Sequence, residues 1–313
     1  MTGALSGFAT IGVVIAVGFV LAHLKVLDES AQVVLTKLTF LVGSPALMIT
    51  VLGAADVHTL FSTNLTASLV GVLVTATAQV LLARLVWHRS LGETVIGAFC
   101  SSYVNAGNLG LPIAAYAIGD ASVIAPMLLA QLVVLQPLGL AMLDVDRART
   151  DGELTRGELV RTAISRPFRN PITIGSLIGM LLSVTGWTLP SAIGNPLDLI
   201  AGIAIPAMLI SYGISLRTGP LPGRGENPAH LTAIVLLKLI VQPLLAWLFG
   251  AYVLGLTGTA LLAVTVIAAL PTAQNVYLMA TRYETGRILA RDAIFLTTIL
   301  SVPVIVTIAA LLD

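Results

Sequence analysis

Charge is what this sequence has least of. Only 10% of its 313 residues are Asp, Glu, Lys or Arg, where soluble domains carry about 25%. A chain of this length cannot cover a water-facing surface with so few polar groups, which excludes a soluble enzyme or binding domain. The 16 basic and 15 acidic residues nearly cancel, so there is no cationic face to hold a phosphate backbone and nucleic acid is excluded as a partner. A single cysteine, Cys100, excludes an internal disulfide and a CxxC metal or redox motif, and reads as packing. No paired carboxylates, His-Glu-x-x-His, Gly-x-Ser-x-Gly or phosphate-cradling Gly-Lys-Ser/Thr pattern occurs. Enzymatic function, resident cofactor and metal site are therefore all unsupported. His23, His58, His88 and His230 fall at or near loop edges without clustering, which argues against a proton relay.

What is present is hydrocarbon. Hydrophobic residues make up 57% of the chain and recur in runs of about membrane-spanning length, roughly 20 residues. These runs cover Leu5 to Leu24, Val33 to Leu52, Leu65 to Val86, Thr94 to Ile118, Ala121 to Leu143, Ile172 to Trp187, Leu197 to Leu216, Leu231 to Leu254, Ala260 to Ala280 and Ala293 to Leu312. The hydropathy pattern thus predicts an all-α polytopic membrane protein with ten transmembrane helices. The first run lacks a preceding basic residue and a cleavage pattern, so it reads as a retained helix rather than a signal peptide.

Basic residues fall only in the odd-numbered breaks between these runs. Lys25 and Lys37 lie at the first, Arg84 and Arg89 at the third, six arginines between Arg147 and Arg169 at the fifth, Arg217, Arg224 and Lys238 at the seventh, and Arg282, Arg287 and Arg291 at the ninth. Lys37 and Lys238 sit slightly inside their runs, from which a lysine can extend its amine to the interface. The positive-inside rule then places the odd breaks in the cytoplasm, with both termini on the non-cytoplasmic side of the cell (inner) membrane.

The longest and most charged break separates five runs from five. It suggests three units: residues 1–144, a cytoplasmic connecting loop at 145–170, and residues 171–313. Five spans per half means the halves enter the membrane from opposite sides, an inverted-topology repeat of the kind found in secondary transporters. Pro45 in Gly43-Ser44-Pro45-Ala46-Leu47-Met48 matches Pro206 in Ile205-Pro206-Ala207-Met208, and spans four and nine are both interrupted by proline among polar residues.

In span four the interruption is Asn105-Ala106-Gly107-Asn108-Leu109-Gly110-Leu111-Pro112; in span nine it is Pro271-Thr272-Ala273-Gln274-Asn275, followed by Tyr277. Proline removes a donor and clashes with the preceding turn, while Gly107 and Gly110 ease departure from helical dihedrals. Released backbone groups cost several kcal/mol in lipid, so both breaks should face protein or water. If they meet, half-helix N-termini and the amides of Asn105, Asn108, Gln274 and Asn275 make an anion site without buried cations. The other reading is that these polar side chains are glue between helices. Pro45 and Pro206 either kink route-lining helices or kink for packing alone; Gln131, Gln136 and Gln242 either face a cavity or bridge helices. Arg291-Asp292 reads as an interfacial ion pair rather than a proton carrier.

Leu24 to Asp28 leading into Pro45-Ala46-Leu47, the Asn105-x-Gly-x-x-Gly-x-Pro112 run, Asn170-Pro171, and Pro271-Thr-Ala-Gln-Asn275 with Tyr277 together resemble the auxin efflux carrier family, which includes bacterial malate and malonate permeases. The resemblance implies ten helices in two inverted five-helix repeats, with broken helices four and nine crossing at the substrate site. It also implies a scaffold of helices one, two, six and seven against a moving remainder. Carried onto this chain, the crossover is Pro112 with Pro271, beside Asn105 and Asn275. The central loop is short, which makes plant-style regulation and auxin itself poor expectations. Arg291-Asp292 departs from the small residues expected there and leaves coupling to protons or sodium open. The expected function is secondary transport of a small carboxylate through the lipid bilayer by alternating access, with room for a homodimer. The competing readings are a sodium-coupled organic-anion carrier of bile-acid-transporter type and a non-transporting membrane receptor or scaffold.

Overall fold

The computed structural model describes residues 2–54, 63–110, 113–114, 118, 121–150, 170–219 and 221–312. Among these, eleven helices are found: α1 Thr2–His23, α2 Glu29–Gly53, α3 Leu65–Val86, α4 Leu91–Ser102, α5 Ala125–Arg149, α6 Pro171–Thr185, α7 Ser191–Thr218, α8 Pro228–Val253, α9 Gly258–Ala269, α10 Asn275–Arg282 and α11 Arg287–Leu312.

Their starts follow local chemistry. Asp28 accepts from the Ala31 amide at 3.0 Å to open α2, and Ser90 with Glu93 forms a reciprocal capping box at α4. Asn170-Pro171 and Asn227-Pro228 each place an amide cap before a proline whose missing N–H costs a first turn nothing. Gly186, in the left-handed region at φ 69°, ends α6.

Small residues then set the helix spacing. A Cβ on Gly18 of α1 would strike the Ile210 carbonyl, and one on Gly213 of α7 would strike that of Ile15. The two backbones therefore touch, as small residues permit in membrane interfaces. Gly175 and Gly179 of α6 lie in the same way against the Pro45 and Met48 backbone of α2. Leu85, Leu181, Leu199, Tyr252 and Leu311 are exposed, as apolar side chains of a membrane protein can be.

The ten-span expectation does not survive. Among the described residues only six helices are long and apolar enough to cross a membrane: α2, α3, α5, α7, α8 and α11. Three further apolar stretches have 10–17 residues: Gly12–His23 (the unbroken stretch of α1 whose side chains are described), α6 and α9. Six long helices do not divide into two inverted five-helix repeats. The physical reason is that hydropathy counts apolar residues irrespective of backbone conformation. The run from Thr94 to Ile118 loses its helix after Ser102, and that from Ala260 to Ala280 is divided between α9 and α10. At about 1.5 Å per residue, the 12-residue α9 reaches roughly 18 Å, short of a ~30 Å hydrocarbon layer.

The polar connections gather at one end of the bundle. Arg217 donates to His23 at 3.1 Å, Arg89 pairs with Glu226, and the Gly223 amide donates to Asp292 at 2.8 Å. Tyr283 donates to Asp144 at 3.0 Å and accepts from Asn170 at 3.2 Å. Most of the 145–170 loop, with Arg156, Arg161, Arg166 and Arg169, lies outside the described residues, as do Asp56, His58 and Asp120. Among the described residues Lys238 breaks the expected pattern: its side chain does not extend to the interface but is buried within α8.

Candidate functional site

The interruptions after α4 and α9 meet in the interior. Val104 and Thr272 form an isolated antiparallel bridge, with the Asn105 amide donating to the Pro271 carbonyl at 2.8 Å and the Ala273 amide donating to Tyr103 at 3.2 Å. Two short extended segments thus satisfy one another where helical bonding stops.

Side chains satisfy the remaining backbone groups, as burial requires. Gln131 donates to the Val104 carbonyl at 2.9 Å, and Gln242 to Ser102 at 3.0 Å. The Thr272 hydroxyl donates to Cys100 at 2.6 Å while its amide donates to Thr297 Oγ1 at 3.1 Å. Lys238 Nζ donates to Ala268 at 3.2 Å. Gln131 and Lys238 both sit in π-helical turns, Gln131–Leu135 and Leu237–Val241, local widenings that recur at functional sites.

Beside this crossing lies a cavity of about 210 Å³ bordered by Asn105, Gly107, Gln131, Gln136, Asn275 and Tyr103. Its polar wall is one connected set. Asn105 Nδ2 donates to Gln274 Oε1 at 2.7 Å; Asn275 Nδ2 donates to Gln136 Oε1 at 3.0 Å and to the Tyr103 hydroxyl at 3.4 Å; Tyr103 donates to Gln136 at 3.2 Å. Asn275 Oδ1 is buried without a hydrogen-bond partner among the described residues. Asn275 is also the first residue of α10, so the positive end of that helix borders the cavity. The other wall is apolar, from α2, α6 and α7, with Leu47, Met48, Ile172 and Met208. None of its described lining residues is charged.

Of the residues singled out in the sequence, Asn105, Gly107 and Asn275 border the cavity, while Gln274 and Pro271 stand one bond behind it. The Asn108 backbone lies in the π-helical turn Ala106–Gly110; its side chain and Pro112 lie outside the described residues. Gly110 is close-packed, a Cβ there meeting Ile124 at 2.8 Å. Pro45 and Pro206 do not border the cavity; their neighbours Ser44 and Ile205 do. Tyr277 points instead to a second cavity of about 410 Å³ at the polar end, near Glu29, Glu284 and Arg287. It accepts from Gln32 at 2.5 Å and stands edge-on to Tyr212. Gln131 and Gln136 both line the cavity and bridge helices, whereas Gln242 only bridges. Tyr103 and Lys238 were not anticipated. A lysine surrounded by Ile, Val and Leu in the middle of an apolar run was the available signal for the second.

A family model described as "Membrane transport protein" matches residues 5–309. The chain belongs to that family. Among similar proteins, one named "Putative malonate transporter" from Rhizobium meliloti (strain 1021) is 26% identical over 272 residues, 84% of this chain and 82% of the relative. An "Uncharacterized transporter" from Methanothermobacter thermautotrophicus (strain Delta H) is 26% identical over 294 residues, 92% of each chain. The protein is therefore a multi-pass membrane transporter rather than an enzyme. Arg291 and Asp292, adjacent in α11, are in contact through Nε and Oδ1 at 2.7 Å, with Asp292 also holding the Gly223 loop. Both side chains are buried rather than interfacial, and Arg291 also borders the second cavity.

Proposed function

We propose that this transporter moves small organic anions or weak acids, of which malonate and malate are the first to test, by alternating access through the Asn105–Asn275 cavity. The observation that carries the reading is the amide and hydroxyl wall placed against two paired helix breaks, with the N-terminal end of α10 beside it. Amide donors and a helix N-terminus bind a carboxylate, and the cavity has room for a small acid or several waters. The name of the Rhizobium relative and the resemblance to bacterial malate and malonate permeases of the auxin efflux carrier family point to the same substrate class. With no charged residue among its described lining, the cavity favours a singly charged or protonated acid over a dianion, whose desolvation such a wall repays poorly. The basic end of the bundle faces the cytoplasm in this reading.

The test is uptake of radiolabelled malonate, malate and related acids by purified protein in liposomes. Uptake is expected to be saturable, to rise as external pH is lowered toward the pKa of the acid, and to fall by roughly tenfold or more in Asn105→Ala and Asn275→Ala while both fold. Wild-type kinetics in both variants would remove these residues from the site. Saturable binding without flux would make the protein a receptor instead.

A further inference from the structure

Lys238 is 0% exposed. Counted from Pro228 at ~1.5 Å per residue, it is rooted about 15 Å into α8, near the middle of a ~30 Å hydrocarbon layer. None of the ion pairs among the described residues includes it, and it does not border the substrate cavity. Its Nζ instead donates to the Ala268 carbonyl at 3.2 Å and to Gln242 Oε1 at 2.6 Å. Gln242 passes the contact on by donating to the Ser102 carbonyl at 3.0 Å. Ala268 is in the last turn of α9 and Ser102 ends α4. One amine, with one amide as relay, therefore stands at the C-terminal ends of both interrupted helices. Unsatisfied carbonyls and the negative ends of two helix dipoles converge at that point. Ends of this kind coordinate the coupling cation in transporters built on discontinuous helices, and a charge at this depth is too costly to be retained as filling.

We propose, resting on the transport reading above for its functional consequence, that the Lys238 ammonium is a tethered cation in the place of a coupling ion, so that transport proceeds without sodium. It acts as a positioning residue: it touches no substrate, but holds α8 and the two helix breaks in one electrostatic unit that keeps Asn105 and Asn275 in register.

The experiment compares wild type, Lys238→Ala and Lys238→Met, purified and reconstituted, in sodium, methylammonium or choline chloride at equal ionic strength. Melting temperature and malonate uptake are both read. Wild type is expected to give the same values in all three salts. Lys238→Ala removes the charge and leaves space; it should melt lower and lose uptake by at least about tenfold in choline, and recover both in sodium or methylammonium. Lys238→Met fills the space without charge, so its uptake should be lost and stay lost in every salt. Sodium-stimulated uptake by wild type, wild-type uptake by Lys238→Met, or an Ala variant indifferent to the salt would each overturn the proposal. Should Lys238→Ala fail to fold, the wild-type salt comparison and the Met variant decide the matter. Should wild type move none of the acids, the transport reading fails, while the salt-dependent melting of Lys238→Ala still decides whether the site holds a cation.

Discussion

Gly107 and Gly110 look equivalent in the sequence and differ entirely in their surroundings. A Cβ on Gly110 is pressed against Ile124 and Leu270, whereas one on Gly107 meets only Leu128, at 3.7 Å. Gly107 therefore borders open space, and a Val there fills part of a cavity of about 210 Å³ without displacing backbone. Gly107→Val is expected to keep a near wild-type melting temperature and to lose uptake of four-carbon acids more than that of two-carbon acids. An equal loss for both sizes would place Gly107 away from the route. The same contrast explains which site residues were legible. Asn105 and Asn275 stand out because amides are rare in apolar runs and both adjoin helix breakers. Tyr103 looks like any core aromatic until its hydroxyl is seen beside Gln136 and Asn275. Lys238 was misread because its place in an apolar run was visible but its partner was not: the Ala268 carbonyl lies 30 residues further along the chain.

At the scale of elements, capping signals act over three or four residues and can be read directly: Asp28, Ser90 with Glu93, Asn170 and Asn227 open the helices that follow them. Helix continuity is less legible. Pro271 marks the end of α9, but α4 ends at Ser102, well before the nearest proline. There the Tyr103–Asn105 segment finds a better partner in the Pro271–Ala273 segment than in its own preceding turn. Contacts between helices depend on which glycine faces a neighbour. Gly213 of α7 abuts the Ile15 carbonyl, while Gly202 of the same helix has nothing within 4 Å of its Cβ position. Gly213→Ala should force α1 and α7 apart at a cost of about 1–3 kcal/mol and lower the melting temperature of the purified protein. Gly202→Ala, with no neighbour to displace, should leave it unchanged or raise it slightly. Equal effects in the two variants would contradict the close approach of α1 and α7.

Across the whole molecule, the loops at the polar end are tied by a few charged contacts. One titrates in a testable way. The Glu226 carboxyl, half-buried before α8, is held below its ordinary value of 4.5 by the neighbouring His230, against the opposing cost of burial, with the Asn227 amide and Arg89 adding to the effect. Its folded-state value lies below its unfolded one, so its contribution to stability is fully present above about pH 4.5 and is lost as pH falls through the lowered value. Wild type should therefore melt above Glu226→Gln at neutral pH, and the gap should close on acidification below pH 4.5. A constant gap would assign the effect to packing. The sequence by itself determined the solvent of this protein, its helical class, its basic end and the positions of its helix breakers, because these properties are sums over neighbouring residues. The number of long apolar helices, the pairing of Val104 with Thr272 and the capture of Lys238 by a helix end were decided only in the tertiary structure. Each depends on which distant backbone group satisfies a given carbonyl, and in a medium without water that choice is made by the fold.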